Sequence, residues 1–135
     1  MPDGYSGTPL AKKLGIASGM RVCVIDAPRN YRRLVRRWPE DARLDEHPGG
    51  ETDLVHVFVR QRRALAHQLA RLREMLDPRA VLWISRPKKS SKVPTDIVED
   101  TIRELGLPLG WVDVKVCAVD DVWSGLKLVV RKSAR

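Results

Sequence analysis

Residues 80–106 read AVLWISRPKKSSKVPTDIVEDTIRELG, and three physical signals follow one another there. Val81, Leu82, Trp83 and Ile84 form a continuous apolar run, the pattern of a strand covered on both faces. Arg86-Pro87 ends the run, because proline donates nothing to a ladder and restricts the residue before it. Pro94 suits the first helical position, and Asp96 and Glu99 place acid where the helix dipole favours it. Ile97, Ile102 and Leu105 share roughly one face, and Gly106 supplies the stop. The stretch therefore predicts a central strand, a basic loop over Lys88, Lys89, Ser90, Ser91 and Lys92, and an amphipathic helix from Pro94 to Gly106. A loop between the carboxyl end of a strand and the amino end of a helix is where open α/β sheets bind ligands.

Working outward, Asp53 to Val59 (DLVHVFV) is a second apolar run, followed by a helix with Leu65, Leu69, Leu72 and Leu76 at four- and three-residue spacings and closed by Asp77-Pro78. Arg21 to Asp26 reads as the first strand. Pro28 to Trp38 reads as a helix whose apolar stripe is Tyr31, Leu34, Val35 and Trp38, with arginines over the rest. Ala42 to His47 fits a short edge strand, and His47-Pro48-Gly49-Gly50 is a loop signal. Thr8 to Gly15 fits a helix of one or two turns, and Asp3 to Ser6 read as a loose polar lead-in. Trp111–Val119 and Trp123–Arg131, joined at Asp120-Asp121, read as a hairpin in which Val112, Val114, Val116 and Ala118 alternate with Trp111, Asp113, Lys115 and Cys117. Strands alternating with helices and ending in a hairpin predict an α/β protein, a Rossmann-like three-layer sandwich. Its sheet has five or six strands, mostly parallel, with an antiparallel hairpin at one edge. Right-handed crossovers put Asp26, Val59-Arg60 and Arg86 on one edge of that sheet, above buried Cys23, Val24, Val55, Val57, Leu82 and Ile84.

At 135 residues, 43% of them hydrophobic and 31% charged, the chain is long enough for one core, and a single domain over 1–135 is expected. The net charge of +8 comes mainly from arginine and points to nucleic acid, a small anionic ligand or an acidic protein as partner. Cys23 and Cys117 sit inside apolar runs without metal-ligand spacing and read as buried free thiols. No apolar leader and no run near about 20 apolar residues is present, so a reduced cytoplasmic protein without membrane contact is expected.

The run Gly4 to Gly15 (GYSGTPLAKKLG), with Pro87-Lys88-Lys89 to Thr95-Asp96 and the Val112-to-Leu128 segment, resembles a small bacterial family of unknown function over nearly the whole chain. That family has no established activity, so no catalytic residue carries over. The element order is also similar to a shortened class I methyltransferase. That resemblance implies a strand order of second, first, third, fourth, sixth, fifth. Such enzymes approach S-adenosylmethionine with a Gly-rich turn after the first strand; here the turn is Asp26-Ala27-Pro28-Arg29-Asn30-Tyr31, without glycine. The resemblance therefore implies the fold more than the chemistry.

The leading expectation is a non-catalytic binding or regulatory domain. It would hold a small anion or an acidic partner on Asp26, Arg29, Arg86, Lys88, Lys89, Ser90, Ser91 and Lys92, although no Walker-type spacing is present. The alternative is a nucleic-acid-associated protein using Arg29, Arg32, Arg33, Arg36 and Arg37, joined by Arg60, Arg62 and Arg63, with Tyr31 or Trp38 for stacking if exposed. An atypical methyltransferase is the third class. Ser85-Arg86-Pro87-Lys88 matches SxxK only formally, because that serine ends a strand instead of starting a helix. His56, between valines, reads as a hydrogen-bonded core residue. His47 and His67 lack ligand spacing, so neither a metal nor a cofactor is expected.

Overall fold

The computed structural model describes residues 8–135; the lead-in expected at Asp3 to Ser6 lies outside them. Its elements are α1 (Leu10–Leu14), β1 (Arg21–Ile25), α2 (Tyr31–Leu34), β2 (Arg43–Asp45), β3 (Leu54–Phe58), α3 (Arg62–Met75), β4 (Val81–Pro87), α4 (Glu99–Gly106), β5 (Trp111–Ala118) and β6 (Trp123–Val130). The six strands form one sheet in the order β2-β1-β3-β4-β6-β5, the order the methyltransferase-like reading implies. β2, β1, β3 and β4 pair in parallel, and β6 runs antiparallel between β4 and β5.

The continuous apolar runs are explained by burial on both faces. Every residue of β3 is buried, and Leu82, Trp83, Ile84 and Ser85 of β4 likewise. On one face Cys23, Val55, Val57, Leu82 and Ile84 pack against Leu65, Leu69 and Leu72 of α3 and Ile102 of α4. On the other, Val22, Leu54, Phe58 and Trp83 pack against Ala11 and Leu14 of α1 and Tyr31 and Val35 near α2. Both cysteines are free and buried, one in each of these clusters, whereas Val24 is only half-buried.

Four local expectations are corrected. The helix expected from Pro28 to Trp38 forms only over Tyr31–Leu34. Arg29/Arg33, Arg32/Arg36 and Arg33/Arg37 would have stacked like charges at i,i+4, and the chain instead turns at Arg37, with φ 64. β4 continues through Arg86 to Pro87. β3 ends opposite Ser85, so Pro87 faces only Trp123 of β6 and its missing N–H breaks no central ladder. α4 starts at Glu99, not Pro94: Asp96 Oδ1 accepts from the Arg62 N–H at 2.6 Å, so that acid caps α3 instead of its own helix. Finally, β5 carries a bulge between Asp113 and Lys115. Trp111 and Cys117, which simple alternation puts on one face, therefore belong to opposite cores, and Val114 and Val116 are left 55% and 52% exposed.

Candidate functional site

The carboxyl ends of β1, β3 and β4 lie on one edge of the sheet, and each expected site residue can be placed against it. Asp26 and Arg29 follow β1, Arg60 follows β3, Arg86 is the penultimate residue of β4, and Lys88 to Lys92 lie just beyond. The Asp120-Asp121 turn reaches the same edge, where the Lys88 N–H donates to the Val122 carbonyl at 2.7 Å. Asp26 and Lys88 thus share an edge but stand two strand spacings apart, roughly 10 Å, with β3 between them.

The basic loop is built differently from a helix-start anion site. Lys89–Ser91 is a single 3-10 turn and Lys92 is left-handed, with φ 60. The Ser91 and Lys92 amides bond back to Lys88 and Lys89, and the Ser91 hydroxyl donates to the Lys88 carbonyl and accepts from Val93. Two of the loop's amides and one of its hydroxyls are therefore engaged within it, and the Lys88 amide is taken by Val122. Ser90, Lys89 and Lys92 remain exposed.

The strand connections diverge between β1 and β3. From β1 the chain passes α2 on one face to reach β2, and from β3 it passes α3 on the opposite face to reach β4. This is the topological switch point of an open α/β sheet, where ligands bind. Its rim is Asp26, Arg60 and Gln61, all exposed. Asp26 is left-handed, with φ 56, and so makes the sharp turn that a glycine commonly makes. Sequence reasoning missed a further residue. Glu46 directly follows β2, is exposed, and offers a carboxylate that has no partner among the described residues. Its neighbour Asp45 is instead taken by Arg21 Nε at 2.9 Å. The signal that could have found Glu46 is an acid closing the second strand about 20 residues after the first.

Beneath the same edge lies a buried polar chain. Tyr31 Oη is 3.1 Å from His56 Nδ1, and His56 Nε2 is 2.6 Å from Ser85 Oγ. One ring nitrogen donates and the other accepts, as a neutral imidazole must. Burial pushes the His56 pKa down from 6.5 to about 3 and pushes the Tyr31 hydroxyl above its ordinary range. The histidine is thus the hydrogen-bonded core residue expected, neutral at physiological pH and fully screened from solvent.

The arginines of the α2 segment fare differently from those of α3 and α4 that meet carboxylates. Arg62 pairs with Glu104 at 2.7 Å, and Arg103 with Glu99, Asp100 and Asp113. Arg29, Arg32, Arg33, Arg36 and Arg37 are exposed, and none has a side-chain partner among the described residues. Arg32, Arg36 and Arg37 rim a cavity of about 240 Å³ between α2 and β2, walled by Tyr31, Val35, Trp38 and Leu44. Among the described residues, no helix is long and apolar enough to cross a membrane, and no cluster of three potential metal ligands occurs.

No family model and no curated protein matches the sequence, so the likeness to a small bacterial family rests on its motifs alone. Solved structures do match. A putative type 11 methyltransferase from Sulfolobus solfataricus aligns over 100% of this chain and 95% of its own, with a TM-score of 0.61 and 13% identity. A tRNA methyltransferase from B. subtilis aligns over 94% of this chain and 67% of its own, at TM-score 0.56 and 13% identity. Aeropyrum pernix fibrillarin, solved with natively bound S-adenosyl-L-methionine, aligns over 95% and 71%, at TM-score 0.53 and 15% identity. At these identities the likeness is one of architecture, and the chain has the Rossmann-like α/β fold of the methyltransferases.

Proposed function

We propose that the chain binds S-adenosylmethionine, or its demethylated product, in the crevice between β1 and β3, and that it is an atypical methyltransferase. The observation that carries this reading is Glu46. A carboxylate without a partner among the described residues, at the end of the second strand, is placed as are the acids that accept hydrogen bonds from ribose hydroxyls in Rossmann-like folds. Whole-chain similarity to methyltransferase structures supports it.

The residues fit the nucleoside end of such a cofactor. Glu46 would hold the ribose, and the carboxylate of Asp26, without a partner among the described residues, suits the cationic end. The turn departs from the usual pattern in that Ala27 and Pro28 stand where glycine would let the backbone come closest. That departure is what makes the site atypical. When bound, the cofactor supplies an electrophilic methyl group; the chain's own part is to orient and to shield. Calorimetry with both forms of the cofactor tests the reading. Binding is expected, and Glu46→Gln should weaken it about tenfold, the scale of one hydrogen bond to a charged group. Absence of heat with both ligands would eliminate it.

A separate observation supports a second reading, a non-catalytic site for a small anion. Arg29, Arg60, Lys89 and Lys92 lie on the same edge without partners among the described residues. A thermal-shift panel of nucleotides and phosphorylated metabolites addresses it, since a ligand at a hundred times its Kd adds about 2.7 kcal/mol of apparent stability. A flat response across that panel would dismiss it.

A further inference from the structure

We infer that the cavity between α2 and β2, with its arginine rim, is a binding surface for single-stranded nucleic acid, one unstacked base seating in the cavity while the flanking phosphates lie on the arginines. The inference does not rest on the cofactor reading, because the cavity and the β1/β3 crevice are lined by different residues.

Three observations carry it. The first is charge. Arg32, Arg36 and Arg37 are exposed around one opening, and among the described residues they have no partner and no acidic side chain lines the cavity. Elsewhere Arg21, Arg62, Arg79 and Arg103 are each matched to carboxylates, and Arg43, Arg60 and Arg63, unmatched among the described residues, do not line this opening, so three unmatched guanidiniums around one cavity are themselves complementary to an external polyanion. The second is the wall. Trp38 is half-buried, and its Nε1–H donates to the Ala42 carbonyl at 2.8 Å, which fixes the indole. The Tyr31 hydroxyl is held by His56, so its ring cannot swing to fill the space. Leu44 is 44% exposed on the short edge strand β2, an apolar floor left open among the described residues. The third is size. About 240 Å³ is below the roughly 300–1,000 Å³ of sites that enclose a whole drug-sized ligand. It suits one ring system whose remainder lies outside. A planar π-face joined to phosphates describes a nucleotide within a strand, and sequence-tolerant single-strand binders combine an aromatic seat with a basic track. A duplex keeps its bases stacked and cannot offer one. An acidic peptide offers charge without a ring.

Fluorescence anisotropy with labelled single-stranded RNA, single-stranded DNA, the matching duplex and polyglutamate tests the proposal. Single strands should bind best, with log affinity falling linearly in log salt by about 0.7 per phosphate contacted. Replacing Arg32, Arg36 and Arg37 together by Gln should flatten that slope by about 2. Leu44→Trp, which fills the cavity from an exposed position, should weaken binding about tenfold with the slope unchanged, the scale of one stacked base. Tryptophan emission should also change on titration with unlabelled strand, and the change should be lost in Trp38→Leu. That measurement stands even if the Leu44 variant fails to fold. Equal binding of duplex or polyglutamate, full affinity in folded Leu44→Trp, or emission indifferent to the strand would each overturn the proposal.

Discussion

The two faces of the sheet are covered in different ways. Beneath α3 and α4, helices of fourteen and eight residues, the core is mostly aliphatic, built from their leucines and isoleucine and from strand valines, with Trp111 as the one aromatic among its described residues. The Trp111 Nε1–H donates to the Leu69 carbonyl at 3.1 Å. Beneath α1 and α2, helices of five and four residues, the core is aromatic and polar. Phe58 stacks on His56 with centroids 4.3 Å apart and meets Trp123 edge-on at 5.0 Å. Trp83 Nε1–H donates to the Leu14 carbonyl at 2.8 Å. The difference teaches that two short helices, which propensity alone would not hold, can be fastened by directional contacts where area is scarce. The long helices bury more leucine and isoleucine and rest mainly on fit, beside the single indole bond from Trp111.

If so, the thin face should respond to lost hydrogen bonds and the thick face to lost volume. The largest effect is expected for Trp83→Ala, at about 3–5 kcal/mol by urea unfolding, because a fully buried ring and the anchor of α1 go together. Leu69→Ala beneath α3 should cost about 2–5 kcal/mol, and Leu69→Met should recover most of it. Recovery by Met at the thin-face residue Trp83 as well would erase the distinction.

Tyr31→Phe keeps the ring and leaves His56 short of a partner. A loss of about 1–3 kcal/mol is expected, and a neutral outcome would show that the polar chain contributes nothing. Gly125→Ala should cost a similar 1–3 kcal/mol, since a Cβ there would stand 3.2 Å from Trp83 Cε3 and 3.3 Å from Ser85 Oγ.

His56 also sets a pH dependence. Its folded pKa of about 3 lies below the ordinary 6.5, so between those values the unfolded chain binds the proton and the folded chain does not. Stability should therefore fall as pH drops from about 6.5 towards 3, by up to about 1.4 kcal/mol per pH unit from this group. The same titration on His56→Gln removes that share and leaves the carboxylates' contribution. Superimposable profiles for the two proteins would refute the assignment.

The smallest effect is expected at Arg103. It bridges Glu99, Asp100 and Asp113, and its own pKa is raised by the hydrogen bond to Asp113 first. Its side chain is a third exposed, so Arg103→Ala should cost about 1 kcal/mol or less and lose even that in high salt.

The architecture was legible because its strongest signal, continuous apolar runs separated by helical periodicity, depends only on what must be buried. It yielded the strands, the shared edge and the core role of His56. The α2 segment misled because periodicity counts apolar positions and ignores like charges repeating at i,i+4. Asp96 misled because its partner, the Arg62 amide, is 34 residues away, and only the folded sheet brings the two together. The cavity at Leu44 could not be read at all, since a missing cover leaves no trace in a local pattern. The Lys88 to Lys92 loop was placed correctly, but how its amides are engaged was invisible.

The bulge in β5 has a consequence for how the molecule meets its own copies. β5 is an outer strand carrying two exposed valines, the kind of border along which sheets of neighbouring molecules fuse. An unpaired residue at Val114 breaks the even row of amides and carbonyls and bends the strand. Exposed Lys115 adds a charge at the same point. The irregularity that defeats simple alternation in the sequence thereby acts as a guard against polymerisation.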